Sequence, residues 1–307
     1  MSVLAVTFAG VHFQNPIVLA SGTAAYGREL HDIADLERLG GLVTKAVSLA
    51  PRPGARAPRV SDFPGGMINA IGLANPGVEV VRDTELPWLA AHLRRARVLV
   101  NVVGNAVEDF ADVMARLDEA AGVAGYELNV SCPNVKAGGL EFGADGTVLR
   151  GLIERARAAT RKPIIVKLSP TLADLAGTAQ VAADAGADAL TLTNTLPGLV
   201  IDVESRRPRI GFGSGGVSGP PLLPIGVLAT WRVSRAVALP IIGLGGVSRA
   251  DHALQYIMAG ATLVGVGTAG MVDPRAPERI VVDLERWCRR HGVTSLASLR
   301  GTLEWPS

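Results

Sequence analysis

The sequence predicts a (β/α)8 TIM barrel, with a small N-terminal hairpin and long loops on the top face. Eight short runs rich in Val, Ile and Leu recur along the 307 residues, and consecutive apolar positions are typical of strands buried on both faces. Alanine-rich amphipathic segments separate these runs, and such alternation indicates one parallel sheet. Eight units are the number that closes a barrel, so we expect a single domain over residues 1–307.

Each predicted strand is an apolar run followed by a polar residue or a glycine. The runs are residues 16–21, 41–47, 98–104, 126–132, 163–169, 188–195, 240–246 and 262–268. Ahead of the first run, the segments LAVTF and VHF flank Gly10. We expect them to form a hairpin that plugs the bottom of the barrel, where the strands begin.

The amphipathic segments between the runs predict five helices. They are residues 108–121, 146–159, 172–185, 222–237 and 248–259. Ser248 is the expected N-cap of the last of these, because a serine side chain can accept from free N–H groups of the first turn. Gly260 and Gly186 are expected just after helix ends, where a left-handed backbone favours glycine.

Composition and charge argue against several classes of protein. Hydrophobic residues make up 48% of the chain and charged residues 19%, which suits a folded core. A net charge of +2 without a basic block argues against nucleic-acid binding. The longest uncharged apolar run, residues 259–272, is shorter than the about 20 residues of a membrane span, and the N-terminus does not resemble a signal peptide. Two cysteines do not make a disulfide framework, so we expect a cytoplasmic protein.

Polar residues stand where the predicted strands end, which is where barrel enzymes carry their function. In chain order these are Ser21, Lys45, Asn101, Asn129 with Cys132, Lys167, Thr193 with Asn194, Gly245 with Gly246, and Gly267 with Thr268. Polar groups in apolar strands are costly when unpaired, although a lysine at a strand end can also extend to solvent. Three long links, residues 50–80, 133–145 and 197–221, are expected to form binding loops on the same face.

Glycines at the last two strand ends suggest a phosphate site. Residues 243–246 read GLGG and residues 265–270 read GVGTAG, and barrel phosphate sites favour these loops. Neither GVGTAG nor GFGSGG at 211–216 has the context of a Rossmann motif. A phosphate beside lysines and amides fits flavin mononucleotide (FMN), with pyridoxal phosphate as the competing cofactor.

Four asparagines on top-face segments are candidates for binding a cyclic imide such as a pyrimidine. They are Asn69, Asn129, Asn134 and Asn194. An amide offers both donors and an acceptor, as does the edge of such a ring. The alternative for each asparagine is a structural Asx turn.

Longer motifs resemble those of the dihydroorotate dehydrogenase family. They are NVSCPNVKAGGLEFG (129–143), MINAIGLANPG (67–77), VKLSP (166–170), TNTLPG (193–198), GGVSGP (215–220) and IIGLGGV (241–247). The cysteine of the first motif resembles class 1 of the family rather than class 2, which has serine there. The continuation of that motif resembles the NAD-linked subclass 1B rather than the fumarate-linked 1A.

The resemblance implies a role for each candidate residue. Cys132 would be the base that removes the C5 proton of dihydroorotate while hydride passes from C6 to flavin N5. Lys45 would lie between the flavin and the substrate carboxylate. The pyrimidine would be bound by Asn69, Ala70, Ile71, Gly72, Leu73, Asn129, Asn134, Asn194 and Thr195. The FMN would be held by Ser21, Lys45, Ala46, Asn101, Asn129, Lys167, Thr193, Gly219, Gly245, Gly246, Gly267 and Thr268.

Two stretches depart from the family pattern and leave the local loop geometry open. GPP at 219–221 replaces Gly-Pro-Ala, and RIGFGS at 209–214 is an unusual approach to that loop. Three other functions also remain open from the residues. They are a dihydropyrimidine or dihydrouridine-type flavin reductase, an aldolase with Lys167 as Schiff-base lysine, and a barrel that only binds.

The sequence contains no second redox centre of its own. It has no C-x-x-C motif, no cysteine quartet for an iron–sulfur cluster and no credible Rossmann unit, and it predicts no metal site. The resemblance implies a partner subunit carrying FAD and a [2Fe–2S] cluster, with NAD as the final acceptor. It implies a homodimer of this chain flanked by two such subunits, a heterotetramer, without nucleic acid or membrane.

Overall fold

Eight of the strands close into a parallel barrel, as the sequence predicts. The computed structural model describes residues 2–131 and 141–306. The strands are β1 (Val6–Phe8), β2 (Val11–Phe13), β3 (Ile17–Leu19), β4 (Gly41–Val43), β5 (Val60–Phe63), β6 (Gly66–Asn69), β7 (Arg97–Val102), β8 (Val123–Asn129), β9 (Ile164–Leu168), β10 (Ala189–Leu192), β11 (Leu196–Gly198), β12 (Ile201–Asp202), β13 (Arg207–Pro208), β14 (Gly215–Ser218), β15 (Ile241–Leu244) and β16 (Leu263–Val266). The barrel order is β3-β4-β7-β8-β9-β10-β15-β16, and β16 pairs with β3 to close it.

The helices surround the barrel and match most of the predicted segments. They are α1 (Val78–Val80), α2 (Leu86–His92), α3 (Val107–Leu117), α4 (Gly146–Ala159), α5 (Leu175–Asp184), α6 (Leu223–Ala236), α7 (Ala250–Met258), α8 (Thr268–Val272) and α9 (Ala276–Arg290). Five of these, α3 to α7, confirm the predicted helices. In the ranges that the structure describes, no helix is long and apolar enough to cross a membrane.

The first crossover departs from the predicted strand–helix alternation. Between β3 and β4 the chain forms two 3₁₀ turns, Arg28–Leu30 and Leu36–Arg38, instead of an α-helix. Gly27, immediately before the first turn, has a left-handed backbone with φ +88°. Asp35, between the two turns, has φ −79° and ψ +87°, outside the helical region, so the turns do not join into one helix.

The predicted helix ends are confirmed, and the predicted N-cap is wrong. Gly186 and Gly260 follow α5 and α7 with φ of +96° and +118°, the backbone that glycine tolerates best. The N-cap of α7 is Arg249, one residue later than expected, and its side chain makes no capping hydrogen bond. Ser248 lies too early to reach the free N–H groups of α7. Its Oγ is instead 3.3 Å from His252 Nδ1.

The N-terminal hairpin fills the bottom of the barrel, as predicted. Strands β1 and β2 pair antiparallel, and Phe8 meets Phe13 edge to face with ring centroids 6.0 Å apart. These side chains form one apolar cluster with Val6 and with seven residues of the barrel strands. The strand members are Val18, Val43, Leu99, Ile165, Ala189, Ile242 and Leu263. The hairpin therefore seals the interior with apolar side chains, and polar residues are left to the opposite end.

Two of the long top-face links pair with each other to form a second sheet. Strands β5 and β6 come from the first link, and β11 and β14 come from the link after β10. They form an antiparallel sheet in the order β11-β14-β6-β5, and β12 pairs with β13 in a separate hairpin. The strands of this sheet have three or four residues each and are mostly half-buried, so no long apolar run marks them in the sequence.

The plug predicts a large loss of stability when one of its aromatic rings is removed. Phe13 is fully buried and its neighbour His12 is exposed on the same strand. Phe13→Ala should lower the free energy of unfolding by about 3–5 kcal/mol, from lost burial and the cavity left behind. His12→Ala, the matched control, should change it by less than about 0.5 kcal/mol. Urea unfolding followed by circular dichroism measures both, and equal losses would contradict the plug.

Candidate functional site

A polar layer lies directly above the apolar bottom of the barrel. Residues paired across parallel strands point to the same side of the sheet. Asn101 pairs with Glu127, Asn129 with Lys167, and Lys167 with Thr191. Three of these residues stand two positions after members of the apolar interior cluster, so all of these side chains point into the barrel. The interior thus changes from apolar to polar towards the carboxyl ends of the strands.

A carboxylate that the sequence analysis did not single out lies at the centre of this layer. Glu127 is 1% exposed. Its Oε1 accepts from Asn101 Nδ2 at 2.7 Å, and its Oε2 accepts from Thr191 Oγ1 at 2.7 Å. Lys167 Nζ lies 3.9 Å from Glu127 Oε1. The available signal was a charged residue inside an otherwise apolar strand run, where burial demands partners.

One acceptor in the layer has no partner among the residues that the structure describes. Asn101 is fully buried, and its Oδ1 makes no hydrogen bond to any described residue. Its backbone N–H donates to Thr44 Oγ1 at 3.2 Å, and Thr44 in turn donates to the carbonyl oxygen of Lys45 at 2.9 Å. A buried unpaired oxygen is costly, so this atom calls for a donor from a bound molecule.

The ends of β3 and β4 contribute a lysine whose charge no described residue compensates. Lys45 is half-buried, and its ammonium has no ion pair or side-chain hydrogen bond within the ranges 2–131 and 141–306. Its backbone N–H donates to Ala25 O at 2.8 Å. Ser21 Oγ donates to the Thr44 carbonyl at 2.9 Å, and Ala46 is buried with its carbonyl accepting from a tyrosine hydroxyl. Lys45 is therefore available to an anionic ligand.

The segment from Asn69 to Leu73 is held in a fixed loop above the barrel. Asn69 Nδ2 donates to Gly216 O at 3.2 Å, which joins the two long links. Ala70 N donates to Arg59 O, and Ile71 O accepts from Ala55 N. Gly72 and Leu73 both have left-handed backbones, with φ of +67° and +55°. A positive φ is unfavourable for leucine, so the surroundings must hold this turn in place.

Buried Asn75 is the residue that holds this turn, and sequence reasoning did not include it. Its Nδ2 donates to Leu73 O and to Ser48 Oγ, both at 2.8 Å. Its Oδ1 accepts from Gly77 N at 2.9 Å. One amide thus ties the strained turn to the chain that follows β4.

Two of the predicted amides meet at the ends of β8 and β10. Asn194 Nδ2 lies 3.4 Å from Asn129 Oδ1, and Asn194 Oδ1 accepts from Thr195 N at 2.8 Å. Both asparagines are half-buried, so they keep polar surface for a ligand. Cys132 and Asn134 lie outside the described residues. Ser131, which directly precedes them, has a buried Oγ without a partner among the residues described.

The glycine ends of β15 and β16 surround the loop that leads into α6. Gly245 and Gly246 have φ of +132° and +69°, and a Cβ on Gly246 would lie 2.6 Å from Leu223 N. Gly219 has φ +104°. Thr268 follows Gly267 and donates from Oγ1 to Ser218 Oγ at 2.8 Å, so the loop reaches both strand ends. Bare backbone N–H groups at such a place suit a phosphate.

Burial shifts the pKa values of two titratable groups near these strand ends. Burial raises the pKa of Tyr256, whose hydroxyl donates to Gly245 O at 2.8 Å and fixes that glycine. Burial also raises the pKa of the Glu141 carboxyl, an effect that its hydrogen bond from Ser169 opposes.

Thr193, the remaining predicted residue, is buried and donates its N–H to Leu244 O at 3.2 Å.

Both departures from the family pattern fit into ordered structure. Pro220 and Pro221 begin the 3₁₀ turn Pro220–Leu222, at positions where a missing N–H costs nothing. In the second stretch, Ile210 is buried and Gly211 N donates to Pro58 O at 2.7 Å. This segment therefore packs against the loop that precedes β5.

Known proteins match nearly the whole chain. The family model described as dihydroorotate dehydrogenase matches residues 3–287. A protein of Pelobacter propionicus is 48% identical over 98% of this chain and 98% of its own. One of Citrifermentans bemidjiense is 45% identical over 98% of each chain, and one of Desulforudis audaxviator is 46% identical over 97% and 96%. Each is named dihydroorotate dehydrogenase B (NAD(+)), catalytic subunit.

The close approach of Gly246 to Leu223 predicts that alanine is not tolerated there. Gly292 has a similar φ, +64°, but open space around the position of a Cβ. Gly292→Ala should therefore show only the left-handed strain, about 1–2 kcal/mol. Gly246→Ala should lose about 1–3 kcal/mol more from the clash. Urea unfolding of both variants measures the difference, and equal destabilisation would show that the approach is looser than described.

Proposed function

The chain belongs to the dihydroorotate dehydrogenase family, and from this premise we propose that it oxidises (S)-dihydroorotate to orotate in pyrimidine (UMP) biosynthesis. The observation that carries the proposal is the 48% identity over 98% of both chains to a relative whose name states this activity with NAD. The polar barrel mouth supports it, because it offers a free cation and paired amides to an anionic imide. We also propose that the enzyme works in the cytoplasm, as its two cysteines suggest.

We propose FMN as the cofactor of this chain. The fit rests on the buried Asn101 Oδ1, which no described residue bonds, and on the left-handed glycines Gly245 and Gly246 at the end of β15. An isoalloxazine ring carries both N–H donors and acceptors, so it can satisfy Asn101 and accept from Lys167. Bound FMN would supply the hydride acceptor. The residues proposed to hold it are Ser21, Lys45, Ala46, Asn101, Asn129, Lys167, Thr193, Gly219, Gly245, Gly246, Gly267 and Thr268.

The substrate is proposed to lie between the flavin site and the top-face loops. Lys45 would neutralise its carboxylate, as a charge-assisted hydrogen bond requires. The amides of Asn129 and Asn194, 3.4 Å apart, would bind the imide edge. The other proposed contacts are Asn69, Ala70, Ile71, Gly72, Leu73, Asn134 and Thr195.

Cys132 is proposed as the general base. Its thiolate would take the C5 proton as the C6 hydrogen leaves with its electron pair, so that the C5=C6 double bond of orotate forms. Oxidation of the next dihydroorotate then requires that the cofactor lose two electrons. With only two cysteines, this chain cannot supply the cysteine quartet of an iron–sulfur cluster.

The partner is proposed to be a separate electron-transfer subunit with FAD and a [2Fe–2S] cluster. The name "catalytic subunit" of the similar proteins supports a heteromeric enzyme. The proposed assembly is a homodimer of this chain with two partner subunits, and NAD is the final acceptor.

Removal of the Cys132 thiol should slow flavin reduction without loss of flavin. We expect Cys132→Ala to reduce FMN about 10²-fold more slowly or worse, the scale of a positioned base. The wild-type rate should rise with pH towards the thiol pKa, ordinarily about 8.5. Anaerobic mixing with dihydroorotate, followed by flavin bleaching, gives the rate. The matched control is Cys288→Ala, since that thiol is buried in α9.

Two outcomes of this assay would contradict the proposal. A Cys132→Ala variant that bleaches at the wild-type rate would remove the thiol from the reaction. Wild-type protein that bleaches as fast with dihydrouracil or dihydrouridine as with dihydroorotate would have a different substrate.

The isolated chain should turn over with artificial dyes and hardly reduce NAD. Addition of the electron-transfer subunit should restore NAD reduction and give a defined complex in size-exclusion chromatography. Efficient turnover of the lone chain with fumarate would place it in subclass 1A instead. Efficient NAD reduction by the lone chain would refute the two-subunit enzyme.

A further inference from the structure

Glu127 is a carboxylate buried in the barrel interior, where acidic side chains are rarely found. Among the buried side chains of residues 2–131 and 141–306, Glu127 and Lys167 are the two that carry charge. Removal of a carboxylate from water costs several kcal/mol unless partners compensate it. The roles proposed for the site so far use Lys167 but give Glu127 no part.

The carboxylate connects four neighbouring barrel strands. It stands on β8, accepts from Asn101 on β7 and from Thr191 on β10, and faces Lys167 on β9. Both hydrogen bonds are 2.7 Å long. Because all three partners are rigid strand residues, the carboxylate has a fixed position and in turn fixes theirs.

Lys167 is held by charge without a direct hydrogen bond. Its Nζ is 3.9 Å from Glu127 Oε1, beyond hydrogen-bond length. No other described residue bonds to this ammonium, so its three N–H groups remain available to a ligand above the layer. The ion pair therefore orients the Lys167 side chain and leaves its N–H groups able to donate to a ligand.

Asn101 is oriented by the same carboxylate. An ionised carboxylate only accepts hydrogen bonds, so it requires the NH2 group of this amide. The Oδ1 must then point away from Glu127, and this is the buried atom that has no partner in the described part of the chain. Glu127 thus positions a cationic donor, the Lys167 ammonium, and a neutral acceptor, Asn101 Oδ1, in the same region of the barrel.

We propose that Glu127 is a positioning residue for the flavin that also sets its reduction potential. It would hold Lys167 and Asn101 in position to bind the flavin ring. Its negative charge would partly offset the electrostatic stabilisation that Lys167 gives to the reduced flavin. This inference rests on the proposed function, because it needs FMN at the polar layer. It predicts separate effects of charge and of geometry.

Two substitutions at this position separate the effects. Glu127→Gln keeps the length of the side chain and removes the charge. The FMN couple should then favour the reduced form by about tenfold, which is ~30 mV for a two-electron couple. Glu127→Asp keeps the charge and moves it back by one methylene. In this variant the ratio of reduced to oxidised FMN should stay within about twofold of the wild-type ratio. FMN affinity should fall by about tenfold, because Lys167 and Asn101 lose the group that positions them.

The measurements need no turnover. Potentials follow from equilibration of the bound flavin with a reference dye, and affinities follow from titration of apoprotein with FMN. Glu79→Gln is the matched control, since Glu79 is also ion-paired but lies half-exposed on the surface. It should change neither value.

Each outcome decides the inference. A Gln variant with the wild-type potential would overturn the role of the charge. If that variant does not fold, the Asp variant decides alone, and unchanged FMN affinity in it would overturn the positioning role. Wild-type protein that binds no FMN would instead refute the proposed function itself.

Discussion

The Glu127–Lys167 ion pair is the interaction on which the upper half of the barrel depends. A charge that lacks water must find its partners within the fold, and here Glu127 and its three partners occupy four adjacent strands. That requirement fixes the pairing of β7 through β10 at the level where the barrel turns polar. If either charge were removed, the remaining one would be a buried ion without a counter-charge. That destabilises a protein far more than the loss of a surface ion pair.

Above this layer, the protein builds its binding surface from loops that stabilise each other. The antiparallel sheet of β5, β6, β11 and β14 joins residues more than a hundred positions apart, through contacts such as Asn69 to Gly216. Inside that frame, Asn75 holds a leucine in a left-handed turn. Loops fixed in this way can present backbone and amide groups as firmly as strands do, which is what precise recognition of a small planar molecule requires.

The barrel strands and the strand-end residues were accessible from the sequence because both follow local rules. Apolar runs mark buried parallel strands, and barrel topology then places Lys45, Asn101, Lys167 and Asn194 at one end. The partners of those residues were not accessible. That Glu127 would meet Lys167 depends on strand register, and the sheet built from the long links depends on pairing between short, glycine-rich segments. The first crossover differs from the predicted helix for another reason, because non-helical Asp35 separates its two 3₁₀ turns.

The plug at the bottom also constrains when the chain can fold during synthesis. Residues 6–13 leave the ribosome before every barrel strand, yet their apolar partners include Ile242 and Leu263 on the last two of those strands. Barrel closure itself pairs β3 with β16. Contacts of such sequence separation form slowly, since a long loop must close before they give any stability. Phe8 and Phe13 therefore gain their full set of apolar partners only after the last two barrel strands have been made.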